Sequence, residues 1–340
     1  MNRKLNLLTQ KKARLDAYRP LPTELTQNLD EWYRIELTYT SNAIEGNTLS
    51  RAETALIVEK GITVEGKTLN EHLEALNHAQ AVDFIQSLVG KKRAEITENI
   101  ILEIHRLILT KIDENNAGRY RSIPVRIAGS RVVLPNALKV PDLMQEFVDW
   151  LENSSGHPVT IAAQAHLKLV GIHPFVDGNG RTARLLMNLL LLQAGYPPVI
   201  IRTEDRKRYI DSLENAQVSG TPDDYFALIY AAAERSLDIY LEAAHDVIPP
   251  QTHITSSIPK TKPKKLSSIL LKIGDVAKAT GESVPTLRFW TQIGLLDVKS
   301  YTAGGYRLYD PVMVDRVKKI RHLQKIERRT LTEIKELLEK

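Results

Sequence analysis

The sequence predicts a mainly α-helical protein built from two modules, a long helical one and a short basic one. Apolar residues recur at helical spacing through most of the first 245 residues. Residues 246–270 are then rich in proline and lysine, a composition that cannot bury a core and favours an extended linker. From residue 251 onward the chain carries 18 Lys and Arg against 9 Asp and Glu, whereas residues 1–250 carry 28 against 32. Because a basic excess attracts polyanions, residues 271–340 are predicted to form a separate module with a polyanionic partner.

Bulk composition excludes several classes of protein. At 340 residues the chain exceeds one ordinary domain, and 43% hydrophobic residues are ample for a core. The absence of cysteine from the sequence excludes disulfides, cysteine-based zinc sites and thiol chemistry, and it fits a reducing compartment. The N-terminus lacks the apolar core of a signal peptide, and polar residues and prolines interrupt the most apolar run, 185–201. We therefore expect a cytoplasmic protein that does not enter a membrane.

Residues 1–95 are predicted to form a helical N-terminal region. Pro20-Leu21-Pro22 interrupts the first helical stretch, and Thr23 begins a second one. This second helix is predicted to end at Gly46, because glycine is favoured just beyond a helix C-terminus. Glu45 then lies at the negative end of the helix dipole, where a carboxylate gains little locally. Glu45 is therefore either merely exposed or paired with a cation from elsewhere in the chain.

Further helices are predicted between residues 51 and 115, over 141–151 and over 160–170. Their histidines lie among apolar residues and are expected to pack rather than to bind metal: His72, His78, His105 and His166. Ahead of residue 141, Gly129-Ser130 is flanked by Arg126-Ile127-Ala128 and Arg131-Val132-Val133, which is the signal of a two-residue hairpin. By itself this pattern predicts a small surface hairpin.

Residues 173–184 hold most of the groups suited to chemistry. Gly178-Asn179-Gly180 precedes a predicted helix with a leucine-rich face, and N–H groups in such a turn and at a helix N-terminus favour an anion. Arg181 and Arg184 follow at helical spacing on one face and supply bidentate donors for phosphate oxygens. These features together predict a polyphosphate pocket, although each alone is more often an ordinary loop or a solvated helix face.

Two further residues of this stretch extend the prediction. Asp177 offers a hard oxygen ligand of the kind that Mg²⁺ prefers beside substrate phosphates. His173 adds an imidazole whose ordinary pKa suits a general base at neutral pH. The stretch therefore predicts a pocket for a metal-bound polyphosphate with a base beside it.

From His173 to Arg184 the pattern resembles the signature of the Fic family at each defining position. The resemblance implies transfer of AMP from ATP to a serine, threonine or tyrosine hydroxyl of a target protein. It makes His173 the base that takes the proton of that hydroxyl, and Asp177 the ligand of Mg²⁺. It implies that Arg184 binds the γ-phosphate of ATP. The other residues that it implies for nucleotide binding are Phe175, Gly178, Asn179, Gly180 and Arg181, with Tyr209 as a contact of the adenosine.

The resemblance covers about residues 20–240 and implies a helical Fic core, residues 96–245, with a hairpin flap. Residues Ser41, Glu45 and Gly46 resemble the inhibitory motif of Fic proteins whose regulatory helix precedes the core. In that motif the glutamate pairs with the second arginine of the signature, here Arg184, and blocks productive binding of the γ-phosphate. The flap is implied to dock an extended target segment by strand addition, and its residues are Ile127, Gly129, Ser130 and Val132.

The basic module has the order of a helix-turn-helix. A short helix from Ile273 is ended by Gly281, and Ser283 is a good N-cap for the next helix, which would enter the major groove. Gly304-Gly305 makes a turn that could form a wing. Without further context, a small basic helical domain that binds protein has the same pattern.

Residues 272–340 resemble the DNA-binding domain of MerR-type regulators, which implies duplex DNA as a partner. The matching residues that would contact DNA are Thr286, Arg288, Tyr306 and Arg307. Trp290-Thr291 stands where that family commonly has tyrosine and an acid, which leaves the base preference open. The chain ends before the family's long dimerisation helix, so a palindromic operator would require a homodimer formed elsewhere, for example through the Fic part.

The predicted function is therefore that of a self-inhibited protein adenylyltransferase, using ATP and Mg²⁺, joined to a winged helix-turn-helix module. Two alternatives stay open. One is a DNA-binding transcriptional regulator whose Fic part senses nucleotide without turnover, and the other is removal of AMP from modified proteins, with Glu45 positioning water. An intact His173 argues against the sensor, because a sensor has no need of a base.

Overall fold

The computed structural model describes residues 2–247, 270–292, 294–301, 307–325, 334 and 337–338. The chain divides into two compact units, residues 1–250 and 251–340. The predicted linker, 246–270, lies almost wholly outside the described residues.

The described part of the first unit is helical. Its α-helices are α1 (Asn2–Asp16), α2 (Thr23–Ile44), α3 (Arg51–Lys60), α4 (Leu69–Ser87), α5 (Glu98–Leu109), α6 (Val140–Asn153), α7 (Pro158–Ile172), α8 (Asn179–Gln193), α9 (Arg206–Val218) and α10 (Asp223–Val247). Single turns of 3₁₀ helix occur at Arg93–Glu95, Ala137–Lys139 and Thr203–Asp205. The prediction of a mainly helical protein is confirmed.

Local sequence explains where several of these helices begin. Ser50 and Glu53 form a reciprocal capping box at the start of α3, and Thr68 and Glu71 form another at the start of α4. These caps satisfy the orphan N–H groups of the first turn. The capping residues thus determine where α3 and α4 begin.

Helix α8 lies at the centre of the first unit. Its residues 181–191 are buried on every side, and helices α2, α4, α5 and α7 contact it. A surface helix would bury only one apolar stripe. Arg181 and Arg184 are carried by this buried helix, so their charges need partners inside the protein.

The segment expected to form the hairpin contains the predicted turn. Ser130 N donates to Ile127 O at 3.1 Å, and Gly129 has a left-handed φ of 75°. None of residues 123–135, all of them described, belongs to a strand. Side-chain oxygens accept hydrogen bonds from two backbone N–H groups of this segment: Arg131 N donates to Glu214 Oε1 (3.3 Å), and Val132 N donates to Ser130 Oγ (3.2 Å). An isolated two-stranded ladder is marginal in water, which explains the difference.

Over its described residues, the second unit combines three α-helices with a small sheet. Strand β1 (Leu271–Lys272) precedes α11 (Ile273–Thr280) and α12 (Val284–Gln292), and β2 (Ser300–Tyr301) and β3 (Arg307–Tyr309) precede α13 (Val312–Lys325). The sheet order is β1-β3-β2 and both pairs are antiparallel, with Leu271 opposite Tyr309 and Ser300 opposite Leu308. Strands β2 and β3 occupy the place of the expected wing.

Helices α11 and α12 of this unit are joined as predicted. Gly281 ends α11 in a left-handed conformation with φ of 71°, and Ser283 Oγ accepts a hydrogen bond from Thr286 N at 3.2 Å. Leu287, Trp290 and Val317 anchor the core of the unit. Across the described ranges, no helix of either unit combines the length and apolarity needed to cross a bilayer.

Candidate active site

The catalytic candidate His173 lies at the C-terminus of α7 in an unusual backbone conformation. It has φ of 51° and ψ of 60°, in the left-handed region that residues other than glycine seldom adopt. Its N–H still donates to Leu169 O at 2.9 Å, so it caps the helix while turning the chain into the loop 174–178. Such strain persists only where surrounding contacts enforce it, and it is often found at functional sites.

The hydrogen bond of the His173 ring fixes which nitrogen is basic. Nδ1 lies 3.3 Å from Val170 O, and a carbonyl oxygen can only accept. Nδ1 therefore carries the proton, and Nε2 keeps its lone pair. Burial lowers the pKa of His173 below its ordinary value of 6.5, although the Val170 carbonyl opposes the shift. The imidazole is thus neutral at pH 7.

The loop after His173 is locked by one side chain. Phe175 N donates to Asn179 Oδ1 (3.0 Å), and Asn179 Nδ2 donates to Phe175 O (2.9 Å). Gly178 precedes α8 with a left-handed φ of 74°. These contacts aim the first N–H groups of a buried helix at the space beside His173, where the helix dipole favours an anion.

A cavity of about 170 Å³ occupies that space. Its lining residues are Glu45, Ile127, His173, Val176, Asp177, Gly178, Asn179 and Gly180. The cavity thus brings together the expected base, the expected metal ligand, the glycine turn, one residue of the flap segment and Glu45 from the end of α2.

Arg184 is buried and held by the end of α2. Its side chain is 6% exposed, and Nη2 donates to Glu45 Oε1 at 2.6 Å. The same nitrogen donates to Ser41 O, and Nε donates to Ser41 Oγ, both at 3.0 Å. Burial is the largest influence and by itself would lower the pKa of Arg184, but Glu45 and Tyr209 together outweigh it and the pKa is raised. The arginine therefore stays charged, with Glu45 as its counter-ion.

The backbone around Glu45 makes this contact feasible. The last helical residue of α2 is Ile44, Glu45 is its C-cap, and Gly46 follows just beyond the helix with φ of 105°, as predicted. Gly180 lies opposite, where an added Cβ would come within 2.5 Å of Glu45 Oε1. The absence of a side chain at 180 leaves room for the carboxylate.

Arg181 is also paired with carboxylates. Its side chain is 3% exposed, Nη2 donates to Asp177 Oδ2 at 2.9 Å, and Nη1 donates to Glu74 Oε1 at 3.2 Å. Glu74, from α4, also accepts a hydrogen bond from Asn47 Nδ2 at 2.8 Å. Sequence reasoning missed Glu74, because nothing in its own segment points to an arginine that follows 107 residues later.

Asp177 fits the limited role of a magnesium ligand. Its side chain is 68% exposed, and no cluster of three or more His, Asp or Glu occurs among the described residues. Mg²⁺ is commonly held by one or two carboxylates together with substrate phosphates. A single accessible carboxylate beside an anion-favouring helix terminus suits an ion that arrives with a polyphosphate.

Two expected nucleotide contacts lie behind the cavity wall. The ring of Phe175 is fully buried and stacks on His105, with centroids 3.6 Å apart. Tyr209 is 1% exposed, and its hydroxyl lies 2.8 Å from His166 Nε2. Neither side chain lines the cavity. Of the expected flap residues, Ile127 lines it, whereas Gly129, Ser130 and Val132 lie on the adjoining turn.

Two residues that the sequence did not single out hold the loop in place. Arg121, 3% exposed, donates from Nε to His173 O (2.8 Å) and from Nη2 to Pro135 O (2.7 Å). His105 Nδ1 accepts from Gly118 N (3.0 Å), so its Nε2–H donates to Asp177 O (3.0 Å). Burial lowers the pKa of His105 to about 4, which keeps this tautomer neutral.

Comparison with known proteins shows which family this chain belongs to. Residues 95–191 match the model of the Fic/DOC family. The solved structure of Fic-1 (residues 134–508) from C. elegans is similar with a TM-score of 0.65 at 35% identity, over 71% of this chain and 72% of that one. A Fic-domain-containing signalling protein from Bacteroides thetaiotaomicron has a TM-score of 0.64 at 31% identity, over 70% of this chain and 96% of that one. The chain belongs to the Fic family.

A curated relative of this Fic chain is the protein adenylyltransferase Fic of Drosophila willistoni. It is 42% identical over 248 residues, which are 72% of this chain and 49% of the relative. The chain thus spans about half the length of the curated relatives that it matches. Residues 271–340 of the Fic chain match the MerR HTH family of regulatory proteins, as the resemblance in that module predicts.

The expected DNA contacts of the second unit lie on α12 and β3. Thr286 and Arg288 are half-buried on α12, and Arg307 is exposed on β3. Tyr306 lies outside the described residues.

Proposed function

We propose that this Fic protein transfers AMP from ATP to a hydroxyl group of a target protein, and that Glu45 restrains the reaction in the resting state. The observation that carries the proposal is the Glu45–Arg184 pair, 2.6 Å long, at the edge of a cavity that also contains a neutral His173. The names of the curated relatives support the same reaction.

The chemistry follows from the residues around the cavity. His173 Nε2 accepts the proton of the target hydroxyl while its oxygen attacks the α-phosphorus of ATP. The bond from that phosphorus to the bridging oxygen breaks, and pyrophosphate leaves with the bonding electrons. The N–H groups of residues 178–180, together with Arg181, stabilise the charge on the phosphates. Asp177 would hold Mg²⁺, which neutralises phosphate charge when bound.

The restraint is electrostatic and steric. Besides Arg181, Arg184 is the second guanidinium near the N-terminus of α8. Glu45 and Ser41 already accept three of its hydrogen bonds. A terminal phosphate of ATP must displace Glu45 to bind Arg184. In its resting position the Glu45 carboxylate also repels that phosphate.

The first test is labelling of protein with α-³²P-ATP and Mg²⁺. Glu45→Gly should raise labelling at least about tenfold over wild type, since a freed arginine can form a charge-assisted bond worth about 1.5–3 kcal/mol to phosphate. Glu45→Gln, which keeps the size and loses the charge, should give an intermediate increase. The double variant Glu45→Gly/His173→Ala should bind ATP and transfer no label.

Other outcomes of this test identify other functions. ATP binding without label in any variant would contradict the transferase and favour a nucleotide sensor. Release of AMP from a modified protein by wild type, lost in Glu45→Gly, would favour AMP removal, since Glu45 would then be needed to position water.

The second unit supports a further part of the proposal, binding to duplex DNA. It has a helix-turn-helix, a β2–β3 pair in the position of a wing, and a basic excess over residues 251–340. Such modules place their second helix in the major groove and use basic side chains on phosphates.

A further inference from the structure

The side chain of Arg121 joins three separate stretches of backbone. It is 3% exposed, and Nε donates to His173 O (2.8 Å), Nη2 to Pro135 O (2.7 Å) and Nη1 to Ile123 O (3.3 Å). Burial lowers the pKa of Arg121, and no carboxylate of the described residues opposes that shift. Hydrogen bonds from an ionised donor are about twice as strong as neutral ones. The guanidinium is therefore a strong link between these carbonyl groups.

Two of the three carbonyl groups mark the ends of the flap segment, residues 123–135. Ile123 is its first residue and Pro135 its last, so one guanidinium holds the two ends together. Between them, Ile127 lines the cavity. A segment whose ends are already fixed has less conformational freedom to lose when it binds a partner. Arg121 thus prepares the flap segment for the proposed docking of a target.

The third carbonyl group belongs to the proposed base. His173 has the left-handed φ of 51°, which only surrounding contacts can maintain. The bond from Arg121 Nε to His173 O is one of these contacts. Because the same guanidinium also holds the ends of the flap segment, a single side chain sets the place of the base relative to the flap.

The loop proposed to bind phosphates is held by other side chains. Asn179 locks it through two hydrogen bonds with its backbone, and His105 donates to Asp177 O at 3.0 Å. The backbone N–H of Arg121 also bonds to this loop, but that bond does not depend on the side chain. Nucleotide binding and placement of the base therefore rest on separate contacts.

We propose that Arg121 is a positioning residue which holds the flap segment and His173 in register, so that a target docked on the flap presents its hydroxyl to the base. This inference rests on the proposed function of the site. It separates two tasks within the site: the phosphate loop binds ATP, and Arg121 aligns the base with the docked target. Loss of the guanidinium is then expected to impair transfer and to spare nucleotide binding.

The test replaces Arg121 in the full chain, in the Glu45→Gly background. Arg121→Met removes the donors and keeps much of the length. Labelling of the protein itself and of lysate proteins from saturating α-³²P-ATP should fall about tenfold or more, since a displacement of about 1 Å can cost as much as about 100-fold. The Kd of ATP with Mg²⁺, measured by calorimetry, should stay within about twofold. Arg121→Lys, which keeps the charge and one donor group, should give an intermediate rate.

Trypsin reports on the flap segment without turnover. Arg126 and Arg131 are exposed, and each provides a cleavable bond inside the segment. Loss of the guanidinium should raise the rate of cleavage there about fivefold or more, because cleavage follows the population of the opened segment. Mass spectrometry of the fragments identifies the two cuts.

The control is Arg93→Met, a change at another partly buried arginine, whose Nη2 donates to the carbonyl of Ser154. It should leave labelling, ATP affinity and cleavage of the flap segment unchanged. Equal losses of ATP affinity and labelling in Arg121→Met would indicate a general loss of structure and overturn the positioning role. Labelling that stays at the Glu45→Gly rate would overturn it as well. If Arg121→Met does not fold, Arg121→Lys provides the same comparison.

These measurements separate the inference from the proposed function. Absence of labelling in Glu45→Gly itself contradicts the transferase. Cleavage of the flap segment requires no turnover, and a rate that is unchanged in both Arg121 variants would by itself overturn the role of Arg121.

Discussion

At the scale of single residues, the site depends on an imidazole that is basic without being charged. His173 donates from Nδ1 to its own helix and keeps Nε2 unprotonated. Its left-handed backbone, held by Leu169 and by Arg121, turns that ring into the cavity instead of along α7. One strained residue thus ends the helix and supplies the proposed base.

The depressed pKa of His173 gives a prediction for pH dependence. A base is active in its neutral form, above its pKa, and burial places that pKa below 6.5. Labelling by Glu45→Gly should therefore remain near its maximum as pH falls from 8 to about 6.5, and decline only below that value. Initial rates measured with saturating ATP test this. A rate that already falls by half at pH 7 would contradict a neutral buried base.

Residue-scale reasoning from sequence succeeded where partners lie in one segment or share a complementary charge. The helix dipole left Glu45 either exposed or paired with a cation, family resemblance named Arg184 as that cation, and the structure contains the ion pair. Tyr209 and Glu74 could not be placed this way. The hydroxyl of Tyr209 and the carboxylate of Glu74 bond to residues 43 and 107 positions away, and only the packing of four helices brings those groups together.

At the scale of elements, His105 links α5 to the loop that precedes α8. His105 stacks on Phe175, receives a hydrogen bond from Gly118 and donates to the carbonyl of Asp177. The periodicity of α5 predicts a packed histidine, and in the structure His105 does pack, against the ring of Phe175. The sequence alone does not indicate that the packing partner is the proposed phosphate loop.

Two substitutions separate the stacking of His105 from its hydrogen bonds. His105→Phe keeps an aromatic ring against Phe175 and loses both bonds, so it should cost about 1–3 kcal/mol of stability and lower labelling. His105→Ala also leaves a cavity and should cost about 2–5 kcal/mol. Urea unfolding and labelling in the Glu45→Gly background measure both effects. Equal stability of the two variants would show that the ring stacking contributes nothing.

The flap segment shows the limit of element prediction. The Gly129-Ser130 turn follows from its local sequence and is present, since glycine adopts the left-handed φ without strain. Strand pairing depends on what lies beside the segment, and here Glu214 and Ser130 accept the available N–H groups. Docking of a target peptide to this segment by strand addition stays a prediction.

At the scale of the whole molecule, charge divides the chain more sharply than hydrophobicity does. The change from a mildly acidic to a basic balance occurs near residue 250, where the chain also divides into two compact units. Helical content and the presence of the second unit were predictable from periodicity and composition. The contacts between distant helices were not.

The proposed DNA binding predicts a strong dependence on salt in the full chain. Each phosphate contact that is lost should reduce the slope of log K against log[salt] by about 0.9. Arg307→Ala, on the exposed face of β3, should reduce the slope by about one contact, whereas Lys207→Ala on α9 should not change it. Fluorescence anisotropy with a short labelled duplex of arbitrary sequence measures both. Binding that does not respond to salt would exclude contacts to the DNA backbone.

The last turn of α2 has a mechanical consequence. Ser41 and Glu45 lie one turn apart and hold Arg184 from two sides, Arg206 Nε holds the carbonyl of Ile44 at 2.7 Å, and Asn47 holds Glu74. Unwinding this one turn would remove all three of these hydrogen bonds to Arg184 at once. The labelling rate of the wild-type protein would then depend on how often this helix end unwinds. Each 1.4 kcal/mol by which a binding partner or a mutation destabilises the turn would raise that rate about tenfold. The stability of the last turn of α2 would thus set how often Arg184 becomes free to bind phosphate.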